Sequence, residues 1–261
     1  MENNFALKEP KILIIGYGTV GQAVAQSLSK HYELEIKDKK SAPINITNDD
    51  PDAVIVCVDA DTMADGSIDT TNIEAALASI RSELGAPPIM VKTTLTPNLM
   101  HLLPDNAVYS PEFLRQNIAA VDFQQQPFML LGGDPEFTIF WRNVFKYLST
   151  RFVETTPEAA SWTKYLHNAY LASKVSWFHE MDERAAAVGD LQNYSAALGI
   201  IDLYDDAIGS SHLSAPNTEG TYGYAGRCFP KDMAAFQHYL NSDLLHRIME
   251  HNNEQRNRTP N

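Results

Sequence analysis

Lys11 to Asp38 constrain the fold more than any other stretch. Lys11–Ile15 (KILII) is a short apolar run of the kind found in strands buried on both faces. It passes directly into Gly16-Tyr17-Gly18-Thr19-Val20-Gly21. Gln22–Lys30 then places Ala23, Val24 and Leu28 at helical spacing, and Tyr32–Ile36 forms a second strand-like run closed by Lys37 and Asp38. In this strand–turn–helix–strand setting the three glycines have separate uses. Gly16 permits a tight turn, Gly18 lets the backbone approach a pyrophosphate, and Gly21 lets helix and strand pack closely. The helix N-terminus attracts phosphate charge. Asp38 is placed to accept from a ribose hydroxyl. The loop residues Gly16, Tyr17, Gly18, Thr19, Val20 and Gly21, with Asp38, therefore predict an NAD site, with NAD favoured over NADP. Lys37, Lys39 and Lys40 beside Asp38 leave room for a 2′-phosphate, and a tight turn without any ligand is the competing reading.

The alternation continues. Ala53–Val58, Ile89–Lys92, Ala107–Tyr109, Phe128–Leu131 and Phe152–Val153 read as strands, and Asn72–Leu84 and Pro135–Leu148 as amphipathic helices. Repeated strand–helix units predict an α/β fold: a Rossmann-type doubly wound parallel sheet over residues 1–155, followed by an all-helical domain over 156–261. Sites in such sheets lie beyond the carboxyl ends of the strands. Lys92-Thr93-Thr94 and Tyr109-Ser110-Pro111-Glu112-Phe113 stand at such ends. For Thr93 a turn or cap role weighs as much as catalysis.

Pro157–Val188 contains no internal proline or glycine and reads as one long helix. Trp162, Tyr165, Leu166, Ala169, Ala172 and Val175 form its apolar stripe. Lys164 and Asn168 share a face by their i, i+4 spacing. A solvated face is the ordinary explanation for such a lysine, and for Lys174 and Glu180. Short helices are expected over Tyr194–Gly209, and the polar stretch His251–Asn261 is expected to fray.

The segment Gly223–Asp232 (GYAGRCFPKD) puts Cys228 two residues before Pro230, where a helix begins. A thiol at a helix N-terminus feels the positive end of the dipole, which favours the thiolate. Asp232 follows one turn later on the same side. Against this stands the commonest role of a lone cysteine, a small buried hydrophobe. Cys57, inside the apolar run Ala53–Val58, fits that role.

Net charge is −13, which argues against non-specific nucleic-acid binding and against anionic membranes. Two cysteines give no disulfide framework, so a cytoplasmic setting is expected. MENNFALKEP carries no apolar secretory core, and no apolar run is long enough to span a bilayer. Asp202, Asp205 and Asp206 lack calcium-loop spacing and His212 lacks a second ligand at zinc spacing, so no metal is expected.

Four of these segments, in order, resemble the UDP-glucose/GDP-mannose dehydrogenase family: GYGTVG, YSPEFLRQN at Tyr109–Asn117, EAASWTKYLHNAYLASKV at Glu158–Val175, and GYAGRCFPKD. The resemblance runs from about Lys11 to Tyr239. It implies oxidation of a nucleotide sugar's primary alcohol to a carboxylate with NAD, without release of the aldehyde. By that resemblance Cys228 attacks the aldehyde and carries a thioester, Lys164 and Asn168 stabilise the oxyanion, and Asp232 and Thr94 hold a water or assist proton transfer. Glu112 is the general base for hydrolysis. Phe113, Leu114 and Arg115, and Tyr222, Gly223 and Lys231, would contact the substrate. A homodimer is expected, the long helix packing its stripe against a copy of itself; packing of the same stripe within one chain is the equal alternative.

The sequence departs from the family at several points. Members generally continue into a further nucleotide-binding α/β domain, which this sequence does not contain. Ala207 stands where a DxRIG-like segment has arginine. Val58-Asp59-Ala60-Asp61 replaces a VPTP-like turn, Gln116 replaces a second glutamate, and Ala225 replaces a loop glycine. Two other readings therefore stand beside the leading one. One is a truncated, non-catalytic homologue that binds NAD or a sugar nucleotide. The other is a related dehydrogenase of small hydroxy acids, which would not need Cys228.

Overall fold

The computed structural model describes residues 10–39, 51–215, 217 and 220–257. The N-terminal segment, Lys40 and residues 258–261 lie outside the described residues. The chain divides into two compact units. The first runs to Asp61 and resumes over Ile68–Lys164; the second comprises Thr62–Ser67 and the chain from Tyr165 onward.

The first unit holds a seven-stranded sheet: β1 (Ile12–Ile15), β2 (Leu34–Lys37), β3 (Ala53–Val56), β4 (Ile89–Val91), β5 (Ala107–Tyr109), β6 (Phe128–Gly132) and β7 (Arg151–Thr155). Every strand expected from the sequence is present. The order is β2-β1-β3-β4-β5-β6-β7. All neighbours are parallel except β5 and β6, which meet antiparallel at Tyr109 and Gly132. A buried strand reads as the same apolar run in either direction, so periodicity carried no signal for this reversal. The chain moves from β1 outward to β2, then back across β1 to β3, so the switch point of the sheet lies at the end of β1.

Helices α1 (Thr19–Leu28), α2 (Thr71–Glu83), α3 (Ala119–Gln125) and α4 (Pro135–Val144) belong to this unit. The four residues of β1 and of β3 are all fully buried, which is why neither strand alternates in sequence. Ile12, Ile14, Val24, Leu28, Ile55 and Trp141 belong to one continuous core. The buried Trp141 indole donates to the Ile89 carbonyl at 3.2 Å, so the polar edge of the largest core side chain is satisfied.

Helix α5 (Pro157–Ala187) is the single long helix expected, and the boundary between the units falls inside it. The second unit adds α6 (Leu191–Tyr204), α7 (Phe229–Leu240) and α8 (Asp243–Arg256). Two expectations are corrected here. Residues 191–204 form one helix rather than short pieces, since an internal Gly199 costs only about 1 kcal/mol and does not end a helix. Residues 251–256 are helical rather than frayed. Ser242 caps α8 through a bond from Leu245 N–H, and Asn252 and Gln255 are buried in polar contacts. The solvated-face reading of Lys174 also fails. Its ammonium is buried and donates to the carbonyls of Ile208, Gly209 and Ser211 at 2.8, 3.0 and 2.5 Å.

Candidate active site

The glycine loop leaves β1 at the switch point. Gly16 has φ +95°, and a Cβ there would lie 2.5 Å from the Cys57 carbonyl oxygen. A Cβ at Gly21 would lie 2.0 Å from the Gly16 oxygen. These two glycines are demanded by packing. Gly18 differs: a Cβ there would meet no atom within 4 Å, so its approach side is open. Gly18 is the N-cap of α1, with no side-chain cap and no acidic residue in the first turn. The first-turn N–H groups of a helix have no intrahelical partner, and an end of this kind favours negative charge. Tyr17 and Thr19 are exposed, and Val20 packs on the core.

Asp38 is drawn back onto this loop. Its Oδ2 accepts the Tyr17 N–H at 2.7 Å, while Gln22 Nε2 donates to the Tyr17 carbonyl at 3.0 Å. The backbone of Tyr17 is thus held from both sides. The neighbouring lysines are occupied: Lys37 pairs with Glu35 at 2.8 Å and Lys39 reaches Asn72 Oδ1 at 3.4 Å.

At the end of β4, Lys92 is buried and donates to the Ser110 carbonyl at 2.9 Å and to its hydroxyl at 3.3 Å. Burial lowers its pKa to about 8, against the opposing pull of Cys57 and Glu112. Sequence reasoning passed over Lys92. Its signal was a lysine set directly after the buried triplet Ile89-Met90-Val91. Thr93 donates to the Val58 carbonyl at 2.9 Å, which makes it a turn residue, and Thr94 beside it is half-buried.

Beyond β5, Glu112 and Lys164 form a buried pair with Oε1 and Nζ 3.9 Å apart. The other carboxylate oxygen accepts the Leu114 N–H at 2.5 Å. The Lys164 ammonium also lies 5.3 Å from the Phe113 ring centroid, and Phe113 packs edge-on against Phe128. Lys164 is therefore not on a solvated face. Leu114 packs on the core. Arg115 is exposed, with its guanidinium turned onto Asp122 of α3, NH2 to Oδ1 at 2.7 Å and Nε to Oδ2 at 3.0 Å. That contact raises the arginine pKa and lowers that of Asp122.

In the second unit, Cys228 is exposed and is the N-cap of α7, with Pro230 in the first turn. The Asp232 N–H donates to the Cys228 carbonyl at 2.8 Å, the bond that opens the helix. The Asp232 side chain is buried. Its Oδ2 accepts from Asn168 Nδ2 at 2.6 Å and its Oδ1 from Lys231 Nζ at 2.6 Å. Upstream, the Tyr222 hydroxyl donates to Asp182 Oδ2 at 3.3 Å, and the buried Gly223 N–H donates to His179. His179 and Asn252, which hold this segment, were not found from the sequence; their partners lie 28 to 44 residues away. The other cysteine is of a different kind. Burial pushes the Cys57 thiol up to about 12. Among the described residues no group of three His, Cys, Asp or Glu side chains could hold a metal.

The central-domain pattern of the UDP-glucose/GDP-mannose dehydrogenase family matches residues 158–258, which include Lys164, Asn168, Cys228 and Asp232. Over these residues the chain is similar to this family. It is 27% identical to a UDP-glucose 6-dehydrogenase of Rickettsia bellii, over 78% of this chain and 49% of that protein. It is 25% identical to UDP-glucose 6-dehydrogenase TuaD of Bacillus subtilis, over 82% of this chain and 50% of that protein. The chain thus spans about half the length of the curated relatives it matches. Among solved structures, a UDP-glucose dehydrogenase from Pyrobaculum islandicum has the same fold, with a TM-score of 0.78 at 22% identity, over 94% of this chain and 69% of that one.

Proposed function

We propose that this chain carries the cofactor and catalytic parts of an NAD-dependent dehydrogenase that oxidises a nucleotide sugar's primary alcohol to the carboxylate through a thioester on Cys228. The observation that carries the reading is the anchoring of Asp232. A buried amide, Asn168, and the half-buried Lys231 ammonium hold the Asp232 carboxylate in the first turn of α7, and that turn begins at an exposed cysteine. A packing cysteine needs no such mounting.

The glycine loop fits NAD. The side of Gly18 is open, the α1 N-terminus is uncapped, and Asp38 stands at the loop. The engagement of Lys37 by Glu35 and Lys39 by Asn72 supports NAD over NADP, because a 2′-phosphate would have to displace one of these contacts. NAD, when bound, would supply the hydride acceptor, one molecule for the alcohol and a second for the thiol adduct. The protein's own steps follow. The Cys228 thiolate adds to the aldehyde carbon, and the adduct, once oxidised, is a thioester. Lys164 supplies a cation and Asn168 an amide to the oxygen that bears developing charge. Glu112, kept with a lysine beside it, takes a proton from the water that cleaves the thioester, and Asp232 and Thr94 help hold that water. Phe113, Leu114, Arg115, Tyr222, Gly223 and Lys231 are the substrate contacts of this reading.

Exposed apolar side chains on α5 and α6 support a homodimer. Tyr170, Trp177, Ile200, Leu203 and Tyr204 are each at least 61% exposed. No helix among the described residues is long and apolar enough to cross a membrane; a cytoplasmic setting is part of this proposal.

The test is NADH formation with a panel of UDP- and GDP-sugars, with Cys228→Ser as control and mass spectrometry for acylated Cys228. No NADH from any sugar and no acyl-enzyme would sink the proposal. A second reading, a binder of NAD or sugar nucleotide without turnover, is favoured by Asp59 and Asp61, two exposed carboxylates after β3. Calorimetric NAD binding in the absence of turnover would select it. Full turnover by Cys228→Ser would instead select a hydroxy-acid dehydrogenase.

A further inference from the structure

The loop that ends at Cys228 is held at its base by side chains of two helices. Gly223 has φ +75°, and its N–H donates to His179 Nδ1 at 2.7 Å. The other ring nitrogen, Nε2, lies 2.8 Å from the Ser214 carbonyl oxygen. A backbone N–H can only donate and a carbonyl can only accept. Nδ1 therefore carries no proton and Nε2 carries one, so these two partners select a single neutral tautomer.

The next residue is held from α8. The Tyr224 N–H donates to Asn252 Oδ1 at 2.7 Å, and Asn252 Nδ2 donates to the Tyr224 carbonyl at 3.2 Å. Arg256 reaches the Thr221 hydroxyl at 2.9 Å. A Cβ at Gly223 would lie 2.6 Å from Asn252 Oδ1, so this close approach to α8 requires glycine. Residues 221–224 are thus pinned, while Gly226, Arg227 and Cys228 project into solvent. Of the pins, only His179 can change its hydrogen-bonding sense near neutral pH.

We propose that His179 is the positioning residue of the cysteine loop: it holds Gly223 only as a neutral imidazole, so a proton on Nδ1 releases the loop and withdraws Cys228 from its working position in mildly acidic solution. An imidazolium would set two N–H donors against each other at 2.7 Å. The groups facing the ring are few. On α5 itself, Asp182 favours the imidazolium, although its Oδ2 already accepts from Tyr222. From the loop, the Tyr222 ring meets it edge-on at 5.7 Å and the Ser214 carbonyl accepts its proton. From α8, the Arg256 stem lies over Gly223. Burial outweighs the Ser214 carbonyl bond and the attraction of Asp182 and lowers the His179 pKa, so the loop is secure at neutral pH.

The proposal builds on the reading of Cys228 as a reactive thiol, but its test needs no turnover. Nitrogen NMR on the whole chain follows the His179 tautomer and its titration. Amide exchange at Gly223 and Tyr224, corrected for intrinsic rate, follows the loop. In the unmodified protein, protection at Gly223 should fall about tenfold or more as His179 titrates, below the ordinary imidazole range. In His179→Asn, whose Oδ1 accepts from Gly223 at every pH, it should change less than about twofold over the same range. Alkylation of Cys228, normalised to its thiolate fraction, should change with the His179 midpoint in the first protein and show no such step in the second. Protection that stays constant while His179 titrates overturns the proposal, as does a resting state with the proton on Nδ1. Both measurements use the unmodified protein, so they decide the matter even if the variant fails to fold. A chain that binds NAD but oxidises no sugar leaves them unaffected.

Discussion

Asn168 donates its side-chain amide to the Asp232 carboxylate at 2.6 Å, joining α5 to α7 across 64 residues of sequence. Lys231 takes the other oxygen, so both lone-pair faces of a buried carboxylate are used. The charge also sits in the first turn of α7, where the helix dipole favours an anion. Three effects thus act together on the turn whose N-cap is Cys228.

Asp232→Asn keeps the volume and removes the charge. Its amide can still accept from Asn168, but it meets the Lys231 ammonium without an anion and loses the dipole contribution. Charge-assisted bonds of this type contribute about 1.5–3 kcal/mol. The variant should unfold at lower denaturant by about that amount and should alkylate more slowly at Cys228, because the α7 N-terminus is less well held. Equal stability and equal thiol reactivity would remove Asp232 from any role in mounting the cysteine.

The two cysteines should separate cleanly under alkylation. Cys228 is exposed at a helix N-terminus, whereas burial holds the Cys57 thiol up to about 12. At about pH 8 the native chain should take one label, at Cys228, and take the second only in denaturant. Mass spectrometry of the labelled peptides reads this directly. A native chain labelled first at Cys57 would contradict the burial of that strand end.

The sheet was legible because most strands are short apolar runs bounded by polar residues, and the helices because Ile73, Ala76 and Ile80, or Phe137, Phe140 and Val144, keep helical spacing. Strand direction was not legible, for Phe128–Leu131 reads alike either way. Helix α3 was missed because seven residues offer less than two turns of pattern, with Ala119 and Phe123 its only buried members. The family motifs marked Lys164, Asn168, Cys228 and Asp232, but the residues that hold them came only from the fold. Lys174 read as a surface lysine and Lys92 as the end of a strand, yet each is buried on backbone carbonyls 18 to 37 residues distant. His179 is set by a pair of backbone groups no periodicity records. Acceptors and donors of the main chain exist at every position, so only tertiary structure selects which of them a side chain meets.

Trp141 tests the core of the first unit. It is fully buried and its indole N–H has one acceptor, the Ile89 carbonyl. Trp141→Phe should cost about 1–3 kcal/mol, from lost contact and an unpaired carbonyl. Trp141→Ala should cost about 3–5 kcal/mol by opening a cavity beside Phe140 and Phe145. Urea unfolding followed by far-UV dichroism gives both values. Similar costs for the two variants would mean that the hydrogen bond, not the volume, dominates.

Gly18 and Gly21 separate ligand from packing within one loop. At Gly21 a methyl group would lie 2.0 Å from the Gly16 oxygen, so Gly21→Ala must move the loop backbone and should destabilise the chain by more than about 2 kcal/mol, whether or not NAD is present. At Gly18 φ is −77° and the space is empty, so Gly18→Ala meets no steric conflict within the protein and should change stability by less than about 1 kcal/mol, the small loss expected at an N-cap. Its methyl group would nevertheless occupy the side from which a pyrophosphate approaches the α1 N-terminus. Calorimetry should therefore show NAD affinity reduced about tenfold or more in Gly18→Ala, with thermal stability close to the parent. Unchanged NAD affinity in that variant would mean that the open side of Gly18 is not the cofactor's approach. Equal destabilisation by both substitutions would mean that Gly18, like Gly21, serves the turn alone.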